Sequence, residues 1–324
     1  MHKNLPNLIT LYLQNHNNFG KAEKISFGKE LTKRFSKKNK RISSKFHYDL
    51  FGSKYFEKIT KLKEYYVSRT EKKILKQISY EMNTLFDKNL TFIEFGSGSA
   101  DKINILINEQ VKFYMPLDIS YNFLFKSSIE LAKKFTKLKI IPTYCDYTKY
   151  LKLPKNISKN KIGFFLGSSI GNFYDGEEKK FLQNAKKTLG NDGFLFVGVD
   201  LIKNKHIIEK AYNDSKGIAA KFNLNLIKRI NREFKNYLNP KDFKYYSHFN
   251  EKTNSVECFL ISKKDQQLSI NKKKILLKKG EDIQTEVSKK FTFSSFGKLA
   301  KLCGWNIKKY WLDKKNFYAV VLLQ

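Results

Sequence analysis

The sequence has few of the residues that mark several protein classes. Its 324 residues include only 3 cysteines, none in a Cys-x-x-Cys pair, which argues against a disulfide framework and against a zinc site. Its longest apolar stretches, residues 193–202 and 318–323, are far shorter than the ~20 residues that cross a bilayer. We therefore expect a soluble, cytoplasmic protein without a bound metal or a membrane partner. With 41% hydrophobic residues, the chain can still build a core.

Positive charge is abundant, but its distribution does not favour nucleic-acid binding. The formal net charge is +33, yet only 5 of the 63 basic residues are arginine, and the lysines are spread along the whole chain. A nucleic-acid binder tends to use arginine and to concentrate its charge on one face. We interpret the excess of lysine as a bias of composition. No obligatory nucleic-acid partner is predicted, and we expect a monomer.

The periodicity of apolar residues predicts an α/β fold. Short β-rich runs alternate with longer amphipathic stretches, which is typical of a parallel sheet with helices on both faces. Near the C-terminus, two β-like runs are joined by so short a link that they must pair antiparallel. This arrangement resembles the Rossmann-like core of class I methyltransferases, a parallel sheet closed by a C-terminal antiparallel hairpin. Strands are predicted at residues 90–95, 112–117, 139–145, 162–167, 193–200, 306–312 and 316–323, and helices near residues 102–108, 121–135, 177–189 and 295–303.

A change of pattern after Asp200 predicts an inserted α+β domain. Residues 205–234 read as helices, and residues 243–262 and 267–277 read as strands that interrupt the α/β core. The segment before the core is helical and partly buried, with a break at Gly52-Ser53. The predicted division is an N-terminal helical part (residues 1–69), the core (residues 70–202), the inserted domain (residues 203–290) and the end of the core (residues 291–324).

The strongest chemical signal is a glycine-rich turn after the first predicted strand. Gly96-Ser97-Gly98 lets the backbone approach a ligand and offers unpaired N–H groups to it at the start of a helix. Asp118 lies 22 residues after Gly96, at the end of the next strand, where a carboxylate can accept both hydroxyls of a ribose. A third glycine, which a dinucleotide-binding turn needs at position 101, is replaced by Asp101, whose charge would face a pyrophosphate.

S-adenosylmethionine fits these residues better, because it has a ribose and a sulfonium but no phosphate. Glu94 and Asp118 would add negative charge near this cation. Asp146, followed by Tyr147 at the end of the third strand, can accept a hydrogen bond from the adenine amine. The fourth strand ends in another turn of small residues at the edge where ligands bind in such sheets. Together these strand ends predict a cofactor site.

Segments along most of the chain also follow the pattern of a known family. The segments are Tyr48-Asp49-x-x-Gly52-Ser53 with Phe56-x-x-Ile59-Thr60, Glu64-Tyr65-Tyr66-x-x-Arg69, Leu166–Asn172, Ala211-Tyr212-x-Asp214, Ala220-x-Phe222-Asn223-Leu224-Asn225, Asn231-Arg232-Glu233 and Thr285–Ser288. From about Phe46 to the C-terminus the chain resembles the ergothioneine-pathway L-histidine Nα-methyltransferase family. The resemblance implies a class I methyltransferase core and S-adenosylmethionine as cofactor. It also implies a substrate-binding domain built from the N-terminal helices and the insertion.

The resemblance implies a role for each site residue that matches it. Asn172 and Tyr212 match positions that hold the carboxylate and amine of the amino acid, with Tyr48 beside them. Tyr48 and Asn172 would therefore act at the reacting amine. The pocket for the imidazole ring would be lined by Tyr65, Glu286, Ser288 and Cys258, where Cys258 replaces a larger methionine expected in the family.

The implied activity is methylation of the α-amino group of L-histidine to the trimethylated betaine, hercynine. Two alternatives stay open. The first is Nα-methylation of another amino acid, such as tryptophan or a derivative of it, and it depends on Cys258 and Glu286. The second is an RNA or DNA methyltransferase that uses the basic surface, but the fourth strand is not followed by the Asn/Asp-Pro-Pro-Tyr/Phe type of motif that such an enzyme should show.

Overall fold

The structure is a computed structural model that describes residues 19–324, so the predicted helical character of residues 1–18 lies outside the described residues. Within the described range, no helix has both the length and the apolar composition of a membrane span. The helices are α1 (Phe19–Phe35), α2 (Leu50–Thr60), α3 (Tyr66–Leu85), α4 (Tyr121–Lys134), α5 (Glu177–Leu189), α6 (Lys205–Tyr212), α7 (Ile218–Phe234) and α8 (Phe293–Leu302). The strands are β1 (Lys40–Arg41), β2 (Leu90–Phe95), β3 (Val111–Asp118), β4 (Lys139–Ile140), β5 (Thr143–Tyr144), β6 (Lys161–Phe165), β7 (Phe194–Asp200), β8 (Phe243–Asn250), β9 (Ser255–Ser262), β10 (Gln266–Ile270), β11 (Lys273–Leu277), β12 (Asp282–Lys289), β13 (Ile307–Leu312) and β14 (Tyr318–Leu323).

The larger sheet has the topology of a class I methyltransferase. Its strand order is β13-β14-β7-β6-β2-β3-β4, and β5 pairs with the end of β3. Strands β2 to β7 pair in parallel, whereas β14 runs antiparallel to β7 and β13 antiparallel to β14. The predicted parallel sheet closed by a C-terminal hairpin is therefore confirmed. The chain order reverses at β2, between β6 and β3, which is where ligands bind in such sheets.

Neighbouring residues of each central strand point to opposite faces and enter separate cores. In β2, Phe92 belongs to the core under α3, whereas Ile93 belongs to the core under α5 and α8. The adjacent pair Phe164 and Phe165 divides in the same way. Because both faces are covered, the central strands are nearly continuous apolar runs, which made them easy to locate in the sequence.

The smaller sheet joins the N-terminal segment to the inserted residues. Its order is β1-β12-β9-β8, with β1 parallel to β12 and the other pairs antiparallel. A third core beside it contains Phe27 and Leu31 from α1, Leu226 from α7 and Leu260 from β9. This shared core favours the predicted grouping of the N-terminal segment with residues 203–290, and we propose that the two form one unit.

Three local predictions differ from the structure. The segment 102–108 is not an α-helix but contains a short 3-10 turn at Ile103–Ile105, because isoleucine and asparagine are poor helix formers. The predicted strand 139–145 is split into β4 and β5 at Pro142, which has no N–H to donate to the ladder. Gly52-Ser53 is not a break but part of α2. Glycine is needed at position 52 because a Cβ there would lie 1.7 Å from the carbonyl oxygen of His47.

Candidate active site

One cavity of about 410 Å³ opens at the carboxyl ends of β2, β3 and β6. It collects residues from the larger sheet, from the N-terminal segment and from β12. All of the residues predicted for the site line it except Cys258. The lining residues among those predicted are Tyr48, Tyr65, Glu94, Gly96, Ser97, Gly98, Asp118, Asp146, Tyr147, Asn172, Tyr212, Glu286 and Ser288.

The glycine-rich turn forms one wall of the cavity. Gly96 and Gly98 have φ angles of +77° and +52°, a conformation that favours glycine. A Cβ on Gly96 would lie 3.2 Å from the hydroxyl of Tyr147, whereas a Cβ on Gly98 would meet no atom within 4 Å. The prediction of unpaired N–H groups at a helix start is wrong here. The N–H groups of Gly96 and Ser97 donate to the carbonyl of Leu117, and the residues that follow form no α-helix.

Asp118 and Glu94 lie beside this turn, and burial raises the pKa of both carboxyl groups. Asp118 accepts hydrogen bonds from the backbone N–H groups of Gly98 (3.0 Å) and Ser120 (2.8 Å), which fix its carboxylate at the end of β3. Glu94 is buried, and its burial raises its pKa to about 8 in spite of the hydrogen bond from Tyr114. Glu94 is therefore mainly protonated at neutral pH. Glu94 therefore does not supply the negative charge that was expected of it near a cationic ligand.

Asp146 lies at the same end of the cavity and pairs with the N-terminal segment. Its carboxylate is 3.3 Å from the ammonium of Lys45 and accepts a hydrogen bond of 2.5 Å from the hydroxyl of Thr148. Burial alone would raise the pKa of Asp146, but Lys45 and Thr148 outweigh it and lower the pKa. The carboxylate stays ionised at neutral pH and is able to accept a further hydrogen bond.

Asn172 and Glu286 meet at the other end of the cavity. The side-chain amide of Asn172 donates to Glu286 Oε1 at 3.2 Å. The loop that carries Asn172 passes very close to β12, since a Cβ on Gly171 would lie 2.5 Å from the carbonyl oxygen of Lys289. A glycine at position 171 is therefore needed to bring the amide and the carboxylate together.

The carboxyl group of Glu286 titrates near neutral pH. Its enclosed position raises its pKa to about 7, while Lys290 and the amide of Asn172 favour the charged form and limit the rise. In its charged form this carboxylate can accept a further hydrogen bond from a ligand in the cavity.

We expect a stability effect from this group in the ligand-free protein. Between about pH 4.3 and pH 7 the unfolded chain releases the proton that the folded chain retains, so the contribution of Glu286 to the free energy of unfolding falls as pH rises. Replacing Glu286 by glutamine should therefore raise the melting temperature at pH 8 more than at pH 5. Thermal unfolding at both values measures this, with the exposed Glu251→Gln as control. An equal shift at both pH values would contradict the assignment.

Tyr212 and Ser288 form a buried polar cluster next to Glu286. Their hydroxyl oxygens are 2.7 Å apart, and the ammonium of Lys290 lies 2.9 Å from Tyr212 Oη and 2.8 Å from Ser288 Oγ. The charge of Lys290 is balanced by Asp200 at 2.8 Å, which also pairs with Lys203. The cluster is thus anchored to the end of β7.

Cys258 does not lie where it was expected. It is fully buried on β9, opposite Glu286 of β12, and it is not part of the cavity wall. The hydroxyl of Tyr245 donates to the backbone carbonyl of Tyr212 at 2.8 Å, and the sulfur of Cys258 lies 3.4 Å from the same hydroxyl oxygen. The prediction that Cys258 lines the pocket is therefore wrong, because its side chain is fully buried in the core that also contains Tyr65 and Tyr212.

Two lysines of the site were missed in the sequence. Lys102 lines the cavity and pairs with the buried Glu71 at 2.7 Å, and Glu71 also accepts from the N–H of Gly167. Lys290 supports the cluster described above. Both are single lysines among many in this chain, so composition gave no reason to select them. Lys102 could have been suspected from its position four residues after Gly98.

The comparisons with known proteins assign the family. The model of the histidine-specific, SAM-dependent methyltransferase family matches residues 27–324. The chain belongs to this family. It is 26% identical over 309 residues to a histidine N-alpha-methyltransferase of Mycobacterium tuberculosis (strain CDC 1551 / Oshkosh), covering 93% of this chain and 95% of that protein. It is 33% identical over 219 residues to ergothioneine biosynthesis protein 1 of Neurospora crassa, covering 65% of this chain but only 25% of that larger protein.

The cofactor of this histidine-specific methyltransferase family fits the residues of the cavity. The side-chain oxygen of Ser97 is buried in the turn without a hydrogen-bond partner among the described residues, and Gly98 leaves open space beside it. Carboxylates at Asp118 and Asp146 can accept hydrogen bonds from a ribose and from an adenine amine. Within residues 19–324, no group of three or more His, Cys, Asp or Glu side chains could hold a metal ion.

Proposed function

We propose that this chain methylates the α-amino group of L-histidine with S-adenosylmethionine, in three rounds that give the trimethylated betaine, hercynine. The observation that carries this proposal is the pairing of Asn172 with Glu286 in the same cavity as the glycine-rich turn. An imidazole N–H donor can satisfy the enclosed carboxylate of Glu286, whereas an apolar side chain would leave it unpaired at a cost of about 1–3 kcal/mol. The family match supports the same substrate.

At the cofactor end, we propose that Asp118 accepts the ribose hydroxyls and Asp146 the adenine amine. Gly96, Ser97 and Gly98 would form the wall against which the ligand lies. Lys102 lines the same part of the cavity and would pair with a carboxylate of the bound ligand while Glu71 holds it from behind.

At the substrate end, we propose that Asn172 and Tyr48 orient the amine. The amide N–H₂ of Asn172 is engaged by Glu286, which leaves its carbonyl oxygen to accept an amine hydrogen. Burial raises the pKa of Tyr48 well above its usual value, so the phenol stays protonated and acts as a hydrogen-bonding group rather than as a base. When bound, S-adenosylmethionine supplies a methyl group on a sulfonium that a neutral amine attacks. The chain contributes mainly by holding the amine in line.

The alternatives have less support from this cavity. A tryptophan side chain offers one N–H and no ring acceptor, so it would leave the Tyr212–Ser288 cluster without a partner. A nucleic-acid substrate would depend on the exposed lysines and would not need the enclosed group of Glu286. A cytoplasmic location and a monomeric state remain predictions from the sequence.

Binding measurements test the proposed substrate directly. Each free amino acid is titrated by calorimetry into the protein in the presence of S-adenosylhomocysteine. We expect histidine to bind at least about 50-fold more tightly than tryptophan, because tryptophan leaves buried polar groups unpaired. Equal binding of the two, or tighter binding of tryptophan, would contradict histidine as the substrate while leaving the cofactor assignment intact.

A further inference from the structure

The buried lysine behind the cavity has no donor left for a ligand. Lys290 is 1% exposed, and its ammonium contacts Tyr212 Oη, Ser288 Oγ and Asp200 Oδ2. An ammonium has three N–H donors and no acceptor, so these three partners use all of them. Burial of a lysine is costly unless its charge is paired, and Asp200 provides that pairing.

The two hydroxyls of the cluster have one hydrogen between them that no described residue accepts. Each oxygen accepts a hydrogen bond from Lys290, because Lys290 can only donate. One of the two hydroxyl hydrogens lies between Tyr212 and Ser288, whose oxygens are 2.7 Å apart. The other hydrogen has no further acceptor among the described residues. Both side chains line the cavity, so this hydrogen is available to a ligand there.

We propose that Lys290 is a positioning residue that fixes the hydrogen-bond polarity of the substrate pocket, making the Tyr212–Ser288 pair a donor opposite the acceptor Glu286. A ring that satisfies both sides carries one N–H and one unprotonated nitrogen, and neutral imidazole is such a ring. The inference rests on the proposed function and extends it from the identity of the amino acid to the protonation state of its side chain. An imidazolium, which has two donors, and an indole or a pyrrole, which has no acceptor nitrogen, each leave one group unpaired.

Substrate analogues separate this polarity from a general role in folding. The probes are histidine and the two pyrrolylalanines, with the side chain attached at pyrrole carbon 2 or carbon 3, in which a C–H replaces the acceptor nitrogen. We expect the wild-type protein to prefer histidine over either analogue by about 100-fold in kcat/KM. In the double variant Tyr212→Phe/Ser288→Ala this preference should fall below about 10-fold, because no hydroxyl donor then faces the ring.

Variants of Lys290 test the positioning role. Glutamine can accept as well as donate, so in Lys290→Gln the hydroxyls can turn toward residue 290, and the preference for histidine should fall below about 10-fold. Lys290→Arg, which only donates, should retain it. The control is Lys203→Gln, which removes the other cation next to Asp200 without touching Tyr212 or Ser288, and it should keep the wild-type preference.

The outcomes also separate this inference from the proposed function. If the wild-type protein methylates histidine but prefers it to the pyrrolylalanines by less than 10-fold, the inference is wrong and the proposed function stands. The inference also fails if Lys290→Gln and Lys203→Gln lower kcat equally and leave the preference unchanged, since Lys290 would then have only a structural role. If histidine is not methylated at all, the proposed function itself fails. Should Lys290→Gln not fold, Lys290→Arg provides the test, since loss of the preference for histidine in that variant would contradict the inference.

Discussion

Replacing Glu286 by alanine is expected to lower kcat/KM for histidine by about 100- to 1,000-fold. The variant would lack the charged hydrogen bond between the carboxylate and the ring, and a buried N–H of the substrate would be left unpaired. Together these losses cost about 3–4 kcal/mol. The side chain of Asn172 would also lose the acceptor that orients its amide. Steady-state kinetics with a coupled assay for S-adenosylhomocysteine measure the effect.

The matched control for this variant lies on the neighbouring strand. Glu257 is on β9, and its carboxylate pairs with Asn250 and Thr253 rather than with the cavity. Glu257→Gln should change kcat/KM by less than about 2-fold. Activity toward histidine within 10-fold of wild type in Glu286→Ala would contradict the assigned role of Glu286.

Replacing Asp118 by alanine is expected to weaken binding of S-adenosylhomocysteine by about 100-fold. The change removes the acceptor for two ribose hydroxyls and also the hydrogen bond that holds the N–H of Gly98. Calorimetric titration measures the dissociation constant. Because no amino acid is needed in this experiment, the result does not depend on the identity of the substrate.

A second aspartate at the same cavity controls for loss of charge. Asp101 lines the cavity, is exposed and pairs with Lys72 at 3.4 Å. Asp101→Ala should change the affinity by less than about 3-fold, because an exposed ion pair contributes little. If Asp118→Ala bound the ligand as tightly as Asp101→Ala does, the ribose contact would lie elsewhere.

Local patterns were enough to predict the parts of the fold that depend on them. Strand β2 and helix α5 begin and end at the predicted residues, because a buried strand is a continuous apolar run and α5 is strongly amphipathic. Asp118 was found in the same way, from its distance along the chain to the glycine-rich turn. In contrast, the split of the strand at Pro142 and the continuation of α2 through Gly52 depend on the backbone of specific neighbouring residues. The positions of these two residues in the sequence did not predict either effect.

The substrate end of the site depends on contacts that sequence patterns do not contain. Lys290 lies 78 residues from Tyr212 in the chain, and no spacing rule links the two. Strand β12 carries a register shift between Gln284 and Glu286, so simple alternation could not show which side chains face the cavity. Cys258 pairs with Glu286 across the strands, but no pattern in the sequence shows that its side chain is fully buried in the core and takes no part in the cavity wall.

The central claim is that the α-amine of histidine receives the methyl groups. The most direct test is to incubate the protein with histidine and S-adenosylmethionine carrying a ¹³C-labelled methyl, and to identify the product by mass spectrometry and NMR. We expect histidine to gain up to three labelled methyl groups, all on the α-nitrogen. Methylation of a ring nitrogen, or no transfer to histidine while tryptophan or RNA becomes labelled, would contradict it.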